Sequence, residues 1–215
     1  MKDTALLLID MQNEASFNIK EMDEALDKGA LVLAACRENN IPVLYSRHTH
    51  RPDGLDASIC EPLPENGNIA YCIDTDAAEI SARVRPLPHE PVIDKHRWSS
   101  FFATELDLLL RNLEVKNIIV GGFVTDGCVL NTVYDAFFRN YRVILVKDMM
   151  AASNTTAHAF SIINMANWVY GITILRADQA VKMVSGQNYQ AWQWTEPDQF
   201  HPEPNEIMKV YAELE

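Results

Sequence analysis

The chain has 215 residues with a formal net charge of −12, and apolar and charged residues make up 48% and 22% of it. This composition is typical of a globular protein and excludes a disordered chain, and the length suits one domain rather than two. Because the sequence offers no basic surface to neutralise phosphates, we expect no nucleic-acid partner and no binding to an anionic membrane.

The N-terminal region and the cysteines predict a cytoplasmic location. The first apolar run, residues 5–9, is too short for the core of a signal peptide. No run of about 18 apolar residues predicts a membrane span. The four cysteines, at positions 36, 60, 72 and 128, form no CxxC pair, so we expect reduced thiols.

Short apolar runs alternate with helical patterns along the chain. The predicted strands cover residues 5–9, 42–46, 91–94, 117–121, 142–146 and 171–175. The predicted helices cover residues 22–38, 103–112, 126–139, 156–167 and about 178–185. Nearly continuous Val, Ile and Leu runs are typical of parallel strands that are covered on both faces. The alternation predicts an α/β fold with three α/β/α layers and a doubly wound, mainly parallel six-stranded sheet.

Two segments lack a regular pattern. Residues 47–75 contain several prolines and glycines, and loops this long are often functional, so this segment is a candidate pocket wall or dimer contact. The sequence of residues 187–215 predicts an irregular tail. Its tryptophans indicate that the tail packs against another surface, and a second subunit is one candidate. We expect one domain over residues 1–215, with its core at about residues 4–186.

Polar residues follow three of the predicted strands. Asp10 ends the first, Asp94 and Lys95 end the third, and residues 121–128 link the fourth strand to a helix that includes Cys128. Ligands of open α/β sheets bind outside the carboxyl ends of the strands. Because the third strand is not expected beside the first, Lys95 has to reach inward from its loop.

The placement of Cys128 predicts either a nucleophile or a core residue. With Thr125 as the N-cap and Asp126 near the first helical position, Cys128 lies in the first turn, where the helix dipole favours a thiolate. A nearby lysine lowers the thiol pKa further, and a carboxylate accepts the proton. Taken singly, Cys128 also suits the core, Asp10 a cap and Lys95 the surface.

Three blocks of sequence resemble a known family. They are residues 7–13 (LLIDMQN), 94–101 (DKHRWSSF) and 122–129 (GFVTDGCV), and they occur in the order typical of the isochorismatase-like cysteine hydrolase superfamily. That superfamily includes nicotinamidase, N-carbamoylsarcosine amidase, ureidoacrylate amidase and biuret hydrolase. The resemblance extends over roughly residues 4–175.

The resemblance implies a catalytic triad of Asp10, Lys95 and Cys128. It also implies a cis peptide bond between Phe123 and Val124 and an oxyanion hole formed by the N–H groups of Val124 and Cys128. The candidate substrate-pocket residues are Gln12, Trp98, Phe101 and Phe123. Family habit and the aromatic tail predict a homodimer or homotetramer.

The sequence departs from the family at two places. Residues 14–17 replace the usual Asp-Phe, which leaves the shape of one pocket wall open. Nicotinamidases bind a metal through an Asp-x-His pair and a later histidine, whereas His48 and His50 have the spacing without an evident third ligand. We expect their side chains to point to opposite faces of an extended segment, and we therefore predict no metal and no cofactor.

The predicted function is hydrolysis of a C–N bond in a small amide, ureide or carbamoyl compound through a thioester, with the substrate left open. Alternatives are a metal-dependent nicotinamidase, an isochorismatase that cleaves a vinyl ether without a cysteine, and a non-catalytic interaction protein. The last predicts an inert Cys128 that resists iodoacetamide at neutral pH.

Overall fold

The computed structural model describes residues 1, 3–13, 18–61 and 69–215, and the family departure at residues 14–17 lies outside these ranges. The strands form one sheet in the order β3-β2-β1-β4-β5-β6-β7. Their bounds are β1 Thr4–Ile9, β2 Val43–His48, β3 Val92–Lys95, β4 Asn117–Phe123, β5 Arg142–Ala151, β6 Thr173–Leu175 and β7 Trp192–Gln193. β1 to β6 pair in parallel, and β7 pairs antiparallel to β6.

Six α-helices accompany the sheet. They are α1 Met22–Glu38, α2 Leu106–Asn112, α3 Leu130–Phe138, α4 Thr155–Trp168, α5 Ala177–Val184 and α6 Ile207–Glu213 among the described residues. No helix in the described part of the chain combines the length and apolar character that a membrane crossing requires.

The sheet separates two apolar cores, because successive side chains of a strand point to opposite faces. In β1, Leu7 and Ile9 join the core beneath α2, α3 and α4, whereas Leu6 and Leu8 join the core beneath α1 and α5. The fully buried β1 has apolar neighbours on both faces, which is the reason for its continuous apolar sequence. The predicted α/β class and three-layer arrangement are confirmed.

The C-terminal tail is more regular than predicted. Its first part adds β7 to the sheet, and its last part forms α6, so the sheet has seven strands instead of six. The two-residue β7 and the seven-residue α6 are too short to give a clear periodic pattern in the sequence. Both are held by packing on the core rather than by their own propensity.

The end of β4 lies unusually close to the end of β1. Gly122 has a φ of +143°, and a Cβ atom at this position would overlap the carbonyl oxygen of Ile9. Because Ile9 directly precedes Asp10, the absence of a side chain at Gly122 sets the distance between the two strand ends that carry Asp10 and Cys128.

Replacing Gly122 by alanine should therefore lower the free energy of unfolding by about 3 kcal/mol, through backbone strain and overlap with Ile9. Denaturant unfolding monitored by circular dichroism measures the loss. Gly186→Ala is the matched control, because Gly186 also has a positive φ of +70° but has no atom near the added Cβ. Its expected loss is about 1 kcal/mol. Equal losses would contradict the role of the close approach.

Candidate active site

Asp10 is held by a chain of buried hydroxyl groups. It follows β1 with a φ of +51°, a left-handed conformation that aspartate adopts more readily than most residues. The Ser46 hydroxyl donates to Asp10 Oδ1 at 2.9 Å, and the Ser100 hydroxyl donates to Ser46 at 2.9 Å. The Thr132 hydroxyl lies 3.2 Å from the hydroxyl of Ser100. Three separate chain segments therefore fix the direction of the carboxylate.

Lys95 connects the other two residues of the predicted triad. Its Nζ lies 2.7 Å from Asp10 Oδ2 and donates to Cys128 Sγ at 3.3 Å and to the carbonyl of Arg97 at 3.0 Å. The side chain is fully buried. Lys95 is the last residue of β3 and not part of a loop as predicted, and its long side chain spans β2 to reach Asp10.

Cys128 lies in a π-helical turn, Thr125–Val129, between β4 and α3. The prediction that Thr125 caps this turn is wrong. Val124 takes the cap position without a side-chain hydrogen bond, and the Thr125 hydroxyl instead pairs with Nδ1 of His158 at 2.7 Å. The Phe123–Val124 peptide bond is cis.

The expected lowering of the thiol pKa does not occur. Burial raises the pKa of the Cys128 thiol, and the negative charge of Asp10 raises it further, against the opposing effect of Lys95. Burial alone lowers the pKa of Lys95, but Asp10 and Cys128 outweigh it and keep the ammonium charged. The resting site therefore contains a neutral thiol beside an ion pair between Lys95 and Asp10.

A cavity of about 260 Å³ opens above these residues. Its floor includes Asp10 and Cys128, and its apolar walls come from three parts of the chain, residues 69–71, Trp98 and residues 123–124. The residues that line it are Asp10, His48, His50, Glu61, Ile69, Ala70, Tyr71, Trp98, Phe123, Val124, Gly127 and Cys128. The segment 47–75 thus supplies one wall of the cavity through its described residues.

The predicted pocket residues divide into two groups. Trp98 and Phe123 line the cavity, and the ring of Trp98 stacks on His48 with 5.6 Å between centroids. Gln12 and Phe101 are not among the described residues that line it. The Gln12 amide is used by His48 and the carbonyl of Ala78, and Phe101 is buried in the core.

Polar side chains converge at one side of the cavity. His48 Nε2 lies 2.9 Å from His50 Nε2, which in turn lies 2.9 Å from Glu61 Oε1. On the other side of the His50 ring, Nδ1 lies 3.4 Å from Asp56 Oδ1. The ligand atoms of His48, His50 and Glu61 all lie within 4.8 Å of one another.

The expectation that His48 and His50 face opposite ways is wrong. Side chains alternate along an extended chain with a period of two, so residues two apart share a face. The third candidate ligand, which was not evident in the sequence, is Glu61, a carboxylate eleven residues after His50.

Comparison with known proteins identifies the family. The family model for the isochorismatase domain matches residues 4–179 of the chain. The chain belongs to the isochorismatase family of hydrolases. It is 32% identical over 171 residues to nicotinamidase 3 of Arabidopsis thaliana, an alignment that covers 77% of this chain and 81% of that protein.

Two solved structures show the same family fold. An isochorismatase family protein from Desulfovibrio vulgaris is 30% identical with a TM-score of 0.77, covering 86% of this chain and 100% of that one. The N-carbamoylsarcosine amidase from Thermoplasma acidophilum is also 30% identical, with a TM-score of 0.68, and the match covers 83% of this chain and 98% of that one.

Several side chains around this isochorismatase-family site were not predicted from the sequence. Two of them could have been, because Ser46 is a small polar residue at the end of a predicted strand and Ser100 lies inside one of the three family blocks. Glu61 and Tyr71 carry no such signal, because they come from the irregular segment and reach the cavity only through the path of that segment.

Burial of the thiol predicts how Cys128 reacts with iodoacetamide, which attacks the thiolate. Because the pKa of Cys128 is raised, its alkylation rate should be low at neutral pH and should still be rising above about pH 8.5, the ordinary thiol pKa. Mass spectrometry of the peptide that contains Cys128, with N-acetylcysteine as the reference thiol, gives the profile. A plateau below pH 7 would contradict a neutral resting thiol. Slow alkylation therefore no longer identifies a non-catalytic protein.

The histidine and glutamate group fits a divalent metal ion. Burial, aided by the charge of Lys95, lowers the pKa of His48 to about 2, so its ring is neutral and free to act as a ligand. Asp56 faces the distal nitrogen of His50, as carboxylates do beside metal-bound histidines. Two histidines, one carboxylate and an open fourth position are a typical zinc ligand set.

We therefore expect one Zn²⁺ per chain to bind the purified protein, in contrast to the sequence prediction of no metal. Isothermal titration calorimetry with ZnCl₂ measures the stoichiometry, and Glu61→Gln should weaken binding by roughly tenfold or more through loss of the anionic ligand. His89→Ala, which removes a histidine outside this group, should leave binding unchanged. Identical titrations for Glu61→Gln and the wild type would contradict the assignment.

Proposed function

We propose that the protein is a cysteine hydrolase that cleaves the C–N bond of a small amide, ureide or carbamoyl compound through a thioester. The observation that carries the proposal is the contact of one buried ammonium group, that of Lys95, with both Asp10 and Cys128. This arrangement joins a nucleophile, a proton acceptor and a fixed positive charge at the floor of a cavity.

Cys128 favours C–N cleavage over the vinyl-ether cleavage of isochorismatase, which does not require a cysteine. A thioester is a useful intermediate for acyl transfer and has no role in hydrolysis of an ether. Two similar proteins named above, a nicotinamidase and an N-carbamoylsarcosine amidase, bear names that describe C–N hydrolysis.

The size and the lining of the cavity favour a small, partly planar substrate. Its volume of about 260 Å³ accommodates few heavy atoms beyond a single ring or a short ureido chain. Trp98, Tyr71 and Phe123 offer flat apolar surfaces, and His50 and Glu61 offer polar atoms at one side. A substrate with an apolar or planar body and one polar end matches these walls.

In the proposed acylation step, the Cys128 thiol transfers its proton to Asp10 as the sulfur attacks the carbonyl carbon. Lys95 stabilises the developing thiolate, and the N–H groups of Val124 and Cys128 stabilise the oxyanion. The C–N bond then breaks, and the proton held by Asp10 passes to the departing nitrogen, which leaves as ammonia or an amine. Cys128 remains bonded to the acyl carbon.

In deacylation, Asp10 takes a proton from a water molecule as the hydroxide oxygen attacks the thioester carbon. Collapse of this second tetrahedral intermediate breaks the C–S bond and releases the acid, and the proton returns from Asp10 to the sulfur. The Ser46 hydroxyl bonded to Asp10 Oδ1 leaves Oδ2 on the side of Lys95, which keeps one carboxylate oxygen directed at the reaction.

A metal-dependent nicotinamidase is the second candidate, favoured by the group of His48, His50 and Glu61. These residues would hold a divalent ion, which would act as a Lewis acid on a donor atom of the substrate. The Cys128 chemistry is the same in both candidates. Dependence of nicotinamide hydrolysis on added Zn²⁺ distinguishes them.

Replacing Cys128 by alanine should abolish turnover, with a fall of about 10³-fold or more in kcat, because no other group in the proposal forms the acyl bond. Ammonia release from nicotinamide, N-carbamoylsarcosine, ureidoacrylate, biuret and maleamate measures activity. Electrospray mass spectrometry of the substrate-treated wild type should show an acyl adduct that the variant lacks.

Cys36→Ala is the matched control, because it removes another buried thiol on the far side of the sheet. It should retain activity, and both variants should keep the circular dichroism spectrum of the wild type. A Cys128→Ala protein with unchanged turnover would rule out the proposal.

A further inference from the structure

The C-terminal helix α6 packs beside the active-site layer although it lies outside residues 4–179, the part that the family model matches. Leu214 is fully buried in the core beneath α2, α3 and α4, and Val210 and Tyr211 pack against that core. Helix α6 is therefore an integral part of the layer that carries Cys128 and not a loose extension.

Tyr211 of α6 begins a chain of hydrogen bonds that ends at the nucleophile turn. Its hydroxyl lies 3.1 Å from Nε2 of His158 in α4. On the other side of the same ring, Nδ1 lies 2.7 Å from the Thr125 hydroxyl. Thr125 begins the π-helical turn and precedes Cys128 by three residues. We call these three residues the Tyr211–His158–Thr125 chain.

Tyr211 is itself held in place by Lys147 of β5. The Lys147 ammonium donates to the carbonyl of Tyr211 at 3.1 Å and lies 4.6 Å from the centre of its ring. It also pairs with Glu215 at 3.2 Å. Because Lys147 is only 1% exposed, these partners are required to balance a buried charge, and they fix the position of the tyrosine.

In the Tyr211–His158–Thr125 chain, the neutral state of the histidine and the tyrosine determines which group donates each hydrogen bond. Burial, together with the charge of Lys147, lowers the pKa of His158 to about 4, despite the opposite effect of Asp126. Burial raises the pKa of Tyr211 to about 12. A neutral imidazole has one donor and one acceptor nitrogen, so the bond made to Tyr211 decides which role Nδ1 takes toward Thr125.

We propose that Tyr211, through His158 and Thr125, is a positioning residue for Cys128: the chain holds the start of the nucleophile turn in one orientation. The inference rests on the proposed function of Cys128. Small displacements of a reacting group lower the rate of an enzyme strongly, whereas substrate affinity depends mainly on the cavity walls. Loss of the chain therefore lowers kcat and leaves KM unchanged.

Tyr211→Phe tests the proposal, because it removes the hydroxyl and keeps the ring over Lys147. We expect kcat to fall about threefold to tenfold with an unchanged KM. Tyr141→Phe is the matched control, since it removes a hydroxyl that bonds Asp107 at 2.8 Å and has no link to Thr125 in the described structure. A fall in kcat no larger than that of the control overturns the proposal.

A double-mutant cycle with Thr125→Val separates positioning from general loosening of the structure. If both residues act through His158, the double variant loses no more kcat than the worse single variant, and Thr125→Ser, which keeps the hydroxyl, restores most of the rate. Losses in kcat that multiply in the double variant show independent effects and overturn the proposal.

Alkylation of Cys128 distinguishes failure of this proposal from failure of the proposed function. If the wild type hydrolyses no compound, the rate of iodoacetamide labelling of Cys128 at one alkaline pH becomes the readout. We expect Tyr211→Phe to change that rate by at least about twofold, since the reactivity of a thiol follows its surroundings, and Tyr141→Phe to leave it unchanged. Equal rates in all three proteins overturn the inference.

Discussion

The burial of the Lys95 ammonium is the constraint on which the site depends. A charge without access to water is stable only where it is paired and hydrogen-bonded, and the Lys95 ammonium makes one ion pair and two hydrogen bonds. Its partners are Asp10, Cys128 and the carbonyl of Arg97. The strand order places β2 between β3 and β1, so the charge is paired only because the long Lys95 side chain and the Asp10 carboxylate meet across the end of β2.

The sequence was sufficient for six of the seven strands and, together with the family resemblance, for the choice of Asp10, Lys95 and Cys128. Continuous apolar runs identify parallel strands, and the rule that ligands bind at carboxyl ends brings Asp10, Lys95 and Cys128 to one edge. The hydroxyl bond from Ser46 to Asp10 could not be predicted, because it depends on the register of β2 against β1. The oligomeric state and the cytoplasmic location stay predictions.

Other parts of the site depend on contacts between residues that are far apart in the sequence, which no local sequence pattern predicts. Glu61 reaches His50 through an irregular segment, and Tyr211 reaches His158 from a helix 53 residues later in the chain. Helix α6 has too few residues to be stable alone and forms because its apolar side chains meet the core. Such contacts become visible only when the fold is known.

The raised pKa of Cys128 does not argue against its role as a nucleophile. Loss of the thiol proton to water leaves a new buried charge, which burial disfavours. Transfer of the same proton to Asp10 creates a thiolate and removes a carboxylate charge, so the net charge beside Lys95 is unchanged. The low polarity of the site therefore opposes ionisation of the free enzyme far more than internal transfer. A thiol that is protonated at rest can form its thiolate when a substrate carbonyl arrives, with no free thiolate exposed beforehand.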